Sequence, residues 1–398
     1  MTTYSAVVTT GIYCRPGCGA RPLAENVRTF ELAASAEAAG FRACLRCRPY
    51  RVASPIVPGA PELVCRAVQL IIDGVLDTGS ETSLGARLAV SPRHLRRIFN
   101  DHLGVTPDQL ARSRRAHFAR RLLDDTDLTV ADVAFASGFA SIRQFNRQMR
   151  EVFRAPPSKL RESRRRTDRL AADGGLTMRL PFEPPFDWDA MAAFFADRAV
   201  PGVESVSGRV YRRTISLDGA PGVLEVHPGG DGHLLLRAHL PYWEGLIHVA
   251  ERASRMVGAD VGPTVRAPGA WGPFEAAVQA IVAQECDDHG EARARLGGLV
   301  RRFGPRIPGL THGLTHLFPS AEALAARDLA DLDLPTATVK SLTALAAALA
   351  SGDIVLDHAV RPAELVTSLT AATGIQLSTA HQIALRLGYR EPTGAAPG

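Results

Sequence analysis

No run of eighteen apolar residues occurs anywhere in the 398-residue chain, so no helix of membrane-spanning length is expected. The first ten residues, Met1 to Thr10, have neither a basic start nor an apolar core, and no secretory signal is read there. No repeat of solenoid period is found. Cysteine is scarce: of six in all, four lie within the first fifty residues, and Cys65 and Cys286 stand alone. What is present is close to average globular composition, 46% hydrophobic and 22% charged, in a length suited to two to four domains. The net charge of +5 conceals a division. Residues 1–86 carry +1, residues 87–169 carry +10 and residues 170–398 carry −6. The middle segment holds more than the whole excess and points to a polyanionic partner.

Pattern and punctuation divide the chain into four. The Pro-punctuated stretch Ser54 to Pro61 reads as a linker after a cysteine-bearing module at 1–53. Residues 62–165 are helical in period, with short polar turns. The arginines 164–166 and the turn Asp173-Gly174-Gly175 mark a second boundary. Residues 177–260 mix a strand at 177–181, a helix near 187–197, β-like runs at 209–216, 222–227 and 232–239, and a helix from Trp243. From 266 to 398 the pattern is helical and rich in Ala and Leu. The expected class is multidomain α+β, mostly α.

Cys14 and Cys18 are separated by three residues, Cys44 and Cys47 by two, and 25 residues lie between the pairs. Without a secretory signal, disulfides are disfavoured, and two such pairs fit a tetrahedral Zn2+ held by four thiolates. Zinc also accounts for how so short a module could fold. The surrounding residues, Thr9 to Cys18, Asn26-Val27 and Ala39 to Pro49, resemble the amino-terminal domain of the Ada family. The resemblance implies that Cys14 accepts a methyl group from a methylated DNA phosphotriester. A thiolate on zinc stays deprotonated and nucleophilic. Its methylation reduces the negative charge of the centre, so Arg15, Arg42, Arg46 and Arg48 would contact phosphate with less opposition.

Two helix-turn-helix patterns lie fifty residues apart. In the first, Ser91 caps a helix with Pro92 in its first turn. Leu95, Ile98, Phe99 and Leu103 form its inner face, and Arg93, His94, Arg96, Arg97 and Asn100 its outer face. In the second, Thr129 to Asp132 opens one helix and Ser141 with Gln144 forms a capping box for the next. There Ile142, Phe145, Met149 and Phe153 are placed inward, and Arg143, Gln144, Asn146, Arg147 and Arg150 outward, with Ser141 at the helix start. Arg suits guanine edges and Asn or Gln adenine edges in a major groove, so both outer sets, Ser141 included, are assigned to DNA. This stretch resembles the AraC-type DNA-binding domain, through Leu103 to Pro107, Val133 to Phe139 and Phe153 to Pro157. That family places its recognition helices in successive major grooves, and a helix from Pro107 to Leu123 would set their spacing.

Residues 177–258 resemble the small α+β domain of AlkA-type 3-methyladenine DNA glycosylases. Pro268 to Glu275, Ala280 to Gln284, Leu317 to Ser320 and Leu332 to Pro335 resemble the helix-hairpin-helix core that follows it. The departures are specific. The hairpin reads Thr373-Gly374-Ile375-Gln376, without the family's Pro and second Gly. A Gln-Gln pair becomes Gln284-Glu285. The catalytic Asp that the family carries after Thr379-Ala380 has no counterpart, and Glu285 and Glu391 are the carboxylates that could substitute for it. A region of this kind reads as a truncated glycosylase-like domain without its chemistry. Trp271, Phe274, Tyr242 and Trp243 are read as core rather than as a base pocket. His312 and His316, at i and i+4, are read as a helix surface.

The combined reading is a sequence-specific activator of the DNA alkylation response. It would be cytoplasmic and nucleoid-associated, binding promoter double-stranded DNA, with RNA polymerase as a further partner and no membrane role. Stoichiometric methyl transfer to Cys14 leaves enzyme status open. The alternatives are a bifunctional regulator and 3-methyladenine glycosylase, and a promoter regulator that senses a different effector.

Overall fold

The computed structural model describes residues 3–52, 60–171, 174–259 and 268–389. Half of the described residues are helical. The linker residues 54–59, Asp173 and Glu391 lie outside the described residues.

The first module is a four-stranded sheet with one short helix. Its elements are β1 (Tyr4–Val7), β2 (Ile12–Cys14), β3 (Val27–Phe30), α1 (Ala33–Ala38) and β4 (Arg42–Ala43), in sheet order β3-β1-β2-β4. β1 runs antiparallel to both neighbours, whereas β2 and β4 are parallel, with Tyr13 opposite Ala43. Parallel pairing in that register brings the C-terminal ends of β2 and β4 together. Cys14 and Cys44 therefore emerge side by side.

Eight helices follow: α2 (Glu62–Ile72), α3 (Val75–Thr78), α4 (Glu81–Arg87), α5 (Pro92–Leu103), α6 (Pro107–Asp125), α7 (Val130–Ala136), α8 (Ile142–Phe153) and α9 (Pro157–Glu162). Their starts obey local capping chemistry. Ser91 Oγ accepts from His94 N at 3.2 Å, and Thr106 with Gln109 and Thr129 with Asp132 form reciprocal boxes. At α8 only half of the expected box forms: Ser141 Oγ accepts from Gln144 N at 3.2 Å, but the reciprocal bond is not made. α6 runs to Asp125, two residues beyond Leu123, which buries Asp124 and Asp125 within the helix end.

The α+β part contains β5 (Leu176–Pro181), α10 (Trp188–Arg198), β6 (Glu204–Ser207), β7 (Val210–Leu217), β8 (Ala220–Gly230), β9 (His233–His239) and α11 (Leu246–Met256). The strands form one antiparallel sheet in the order β5-β9-β8-β7-β6. β6 lies outside the β-like runs that the sequence marks, because Glu-Ser-Val-Ser lacks the alternation of a half-buried strand. The last helix begins at Leu246, three residues after Trp243. A bundle closes the described chain: α12 (Pro273–Gln284), α13 (His289–Phe303), α14 (Ala321–Ala325), α15 (Thr336–Ser351), α16 (Pro362–Thr373) and α17 (Leu377–Arg386). The helix expected to carry His312 and His316 does not form. His312 adopts a left-handed conformation at φ 57°, and His316 bridges to Arg306.

The cores do not follow the sequence boundaries. One continuous core joins Tyr4, Tyr13 and Phe41 of the first module to Phe118 and Phe145 of the helical segment and Met178 and Leu236 of the α+β sheet. A second joins Leu32 and Ala34 to α2, α4 and α5. The third belongs to the bundle, with Val200 and Val203 added from the loop before β6. The long α6 lies between the first module and β5, which is why the three modules share apolar surface.

Polar contacts reinforce the packing. Arg213 of β7 is buried between Glu204, at 3.2 Å, and Glu275 of α12, at 2.8 Å. Arg66 donates to the carbonyl of His358 at 3.0 Å, and Arg87 pairs with Asp357. His248 of α11 places Nε2 2.6 Å from Asp77 Oδ2 and Nδ1 3.0 Å from the Ile72 carbonyl. A carbonyl only accepts, so Nδ1 carries a proton, and the contact with Asp77 is strongest when Nε2 carries one as well. Burial pushes this imidazole down, but the hydrogen bond and charge of Asp77 outweigh it and raise His248 above its ordinary 6.5. Arg115, 3.3 Å from Asp77, and Glu251 are the other charges facing the pair.

A raised folded-state value has a definite sign. The contact contributes fully below the unfolded value of 6.5 and is lost as pH rises through the raised one. The unfolding midpoint of the native protein should therefore fall more steeply above neutral pH than that of His248→Gln. Superimposable pH profiles for the two proteins would refute this.

Candidate zinc centre and DNA-facing helices

The sulfurs of Cys14, Cys18, Cys44 and Cys47 all lie within 4.8 Å of one another. Cys14 ends β2, Cys44 follows β4, and the turn after Cys44 brings Cys47 back to the same point. Backbone N–H groups of Cys47 and Arg46 point at the Cys44 sulfur, and that of Arg15 points at Cys47. Burial pushes the Cys14 thiol well up, aided by Cys47, and pushes Cys47 up to about 11. Burial also raises Cys44, but the two N–H groups outweigh it and lower the thiol overall. Four sulfurs packed this closely repel as anions, and a divalent cation at their centre removes that opposition. Donor type, number and convergence fit Zn2+, with Cys14, Cys18, Cys44 and Cys47 as its ligands.

Of the arginines assigned to phosphate, Arg15 and Arg46 are exposed beside the cluster and Arg42 is half-buried. Arg48 requires correction. Its guanidinium is buried, 2.6 Å from Asp168 and 3.7 Å from Asp124, so its charge is used inside the protein. The neighbouring Arg51 reaches Asp124, Asp125 and Asp168 at 3.1 to 3.3 Å. These contacts fasten the cysteine module to the end of α6. A second fastening adjoins the cluster itself. Tyr13, the residue before Cys14, donates to Glu37 at 2.7 Å, and His117 of α6 lies 2.6 Å from the same carboxylate oxygen.

On α5, Arg93, Arg96, Arg97 and Asn100 are exposed and His94 is half-buried, its Nδ1 3.2 Å from Arg97 Nη2. Arg96 pairs with Glu81, which also accepts from Asp108 N at 3.2 Å. On α8, Ser141, Arg143, Arg147 and Arg150 are exposed, while Gln144 and Asn146 are half-buried. Asn146 Nδ2 donates to the Ile142 carbonyl at 3.0 Å, and Arg147 lies 3.9 Å from Glu151. Phe145, Met149 and Phe153 are buried, but Ile142 is 42% exposed. Its spacing matches the buried stripe, so periodicity assigns it inward. It occupies the first turn of α8, where the helix projects past the core. An exposed apolar side chain among arginines suits a thymine methyl, and the spacing offered no signal for it.

In the bundle, Gly374 takes φ 68° between α16 and α17 and forms the hairpin. Gln284 Oε1 accepts from Thr379 Oγ1 at 2.6 Å and lies 3.4 Å from Gln376 N, capping the start of α17 from within. Glu285 is exposed and accepts from Gln284 Nε2 at 3.0 Å. Trp271 is buried under Arg213 and Arg252, whose guanidinium carbons sit 5.7 and 5.0 Å from its ring. Trp243 packs on the first core, Phe274 on the bundle core, and Tyr242 donates to Asp218 at 2.7 Å.

Comparison with known proteins agrees with this arrangement. Three family profiles match: the metal binding domain of Ada over residues 2–50, a helix-turn-helix domain over 84–163, and the AlkA N-terminal domain over 177–271. A Mycobacterium tuberculosis protein described as "Probable bifunctional transcriptional activator/DNA repair enzyme AlkA" is 36% identical, over 97% of this chain and 82% of its own length. The Escherichia coli "Bifunctional transcriptional activator/DNA repair enzyme Ada" is 34% identical over 37% of this chain and 40% of its own. The E. coli "DNA-3-methyladenine glycosylase 2" is 29% identical over 52% and 79% respectively. With a zinc-binding cluster of four cysteines, two helix-turn-helix units and an AlkA-type sheet domain in this order, the chain belongs to the Ada/AlkA family of bifunctional transcriptional activators and DNA repair proteins.

Proposed function

We propose that the protein is a promoter-binding activator of the DNA alkylation response, switched by methylation of Cys14. The supporting observation is the placement of the cysteine cluster. Through Tyr13, Glu37 and His117 it is fastened to α6, the helix that joins the two DNA-facing units. The helices α5 and α8 would occupy successive major grooves. Arg93, Arg97, Asn100, Arg143, Asn146, Arg147 and Arg150, with Ser141, His94, Arg96 and Gln144, form the two reading faces. Arg15, Arg42 and Arg46 would meet phosphate.

Zinc held by Cys14, Cys18, Cys44 and Cys47 would supply the charge that keeps these sulfurs deprotonated at neutral pH. The Cys14 sulfur attacks the methyl carbon of a methylated phosphotriester. An S–C bond forms as the C–O bond breaks, and the phosphate oxygen leaves as the diester anion. The product is a thioether, so the event is stoichiometric. Loss of one negative charge at the centre then lowers repulsion towards the DNA backbone.

We assign the glycosylase-like bundle a scaffold role. Gln376 stands where the family hairpin has its second glycine, and the Gln284 side chain occupies the start of α17. RNA polymerase is the partner that activation implies.

One experiment tests these assignments together. Incubation with methylated DNA should add the mass of one CH2 at Cys14 and raise promoter affinity, and Cys14→Ala should show neither change. Run-off transcription from the same promoter should rise only with the native protein. Equal gains in affinity for both proteins would sink the switch, and release of free 3-methyladenine above a no-protein control would sink the scaffold role.

A further inference from the structure

Where the cysteine module, α2, α5, α6, β5 and α11 converge, they line a cleft, open to solvent on one side, of about 150 Å³. One face of α6 supplies Arg114, His117 and Arg121 to its wall, at i, i+3 and i+7. The charges there are accounted for with one exception. Arg114 is 2.8 Å from Glu251, His117 is 2.6 Å from Glu37, and Arg255 is 3.1 Å from Asp73. Arg121 has no ion pair and no hydrogen-bond partner among the described residues; its Nε is buried, while the residue as a whole is half-buried. The Phe118 ring lies 5.1 Å from its guanidinium carbon. Burial pushes this guanidinium below its ordinary value, and the more distant charges of Glu251 and Asp125 do not make up the difference. The rest of the wall is largely apolar, including Leu32, Leu103, Leu110 and Leu180.

One undercompensated, half-buried cation at the wall of a largely apolar cleft selects a ligand with one negative charge and an apolar body. A cavity of roughly 150 Å³ accommodates a molecule of about six heavy atoms, the size of benzene. We propose that this cavity binds a small branched monocarboxylate, with Arg121 as its charge partner and the leucine side chains against its hydrocarbon. Inorganic phosphate fits less well, because its second charge faces the leucines and Glu251. The walls come from parts of the chain far apart in sequence, so the ligand would hold the cysteine module and α11 against α6. This site is independent of methyl acceptance by Cys14.

Sodium isobutyrate, which has six heavy atoms, is the probe. Titrated at constant ionic strength against chloride, it should raise the thermal midpoint of the full-length protein saturably. Arg121→Lys should keep part of the shift and Arg121→Met should abolish it. Phosphate should give no saturable shift that depends on Arg121. Should Arg121→Met fail to fold, saturation transfer from protein to the isobutyrate methyl protons provides the second measurement. It should be present in the native protein and absent in Ser113→Phe, which fills the cavity from α6. Parallel shifts in native and Arg121→Met proteins, a shift with phosphate alone, or undiminished transfer in Ser113→Phe would each overturn the proposal.

Discussion

Replacing Asp124 by alanine is expected to destabilise the protein by about 3–5 kcal/mol, the range for removing one partner of a buried ion pair. Asp124 is fully buried at the end of α6. Its carboxylate lies 2.9 Å from Arg120 and 3.1 Å from Arg51, and it accepts from the Tyr50 hydroxyl at 3.0 Å. Arg48 stands 3.7 Å away. Deleting the carboxylate leaves several buried cations with less counter-charge and a phenol without an acceptor. The loss should appear as a lower urea midpoint with an unchanged denaturant slope. Asp124→Asn retains an oxygen for Tyr50 but not the charge, so it should fall between native and alanine. A loss below about 1 kcal/mol for the alanine variant would show that Asp125 and Asp168 carry the arginines alone.

Removing zinc should have the larger structural consequence. Structural zinc contributes on the order of 10 kcal/mol to small domains that fold around it. β2 and β4 are three and two residues long, and their ends are joined through the metal ligands. Chelation should therefore remove hydrogen-exchange protection from residues 4–43. It should also loosen α6, because Tyr4, Tyr13 and Phe41 belong to the core that contains Phe118. The bundle, with its own core, should retain protection at α12, α15 and α17. Protection at β1 and β2 that survives complete chelation would contradict the structural role given to zinc.

Much of this organisation was legible in the sequence because it is written in local chemistry. The cysteine spacings, the caps at Ser91 and Thr129, and the alternation Leu234, Leu236, Ala238 each act within a few residues. What was not legible depends on distant partners. Arg48 sits in a run of arginines beside the cluster and reads as basic rim. Only the fold brings Asp168 to it across more than a hundred residues. Ile142 obeys helical period, but where a helix leaves the core is set by its neighbours. The pair His312 and His316 matched helical spacing, yet the intervening Gly313 takes φ 78° and the segment turns instead. β6 is polar and held by pairing with β7 rather than by its own pattern. The Pro-punctuated stretch divides the sequence, while the first core is shared by modules on both sides of it.

That continuity stops at the bundle, whose apolar interior is largely its own. In evolutionary terms the two halves are exposed to mutation differently. A substitution near Tyr13 or Phe118 disturbs a core that three modules share. A change at the hairpin, such as one at Gln376, is felt within one bundle and leaves the exposed faces of α5 and α8 intact. A domain attached in this way can change in sequence without disturbing the core that the other three modules share.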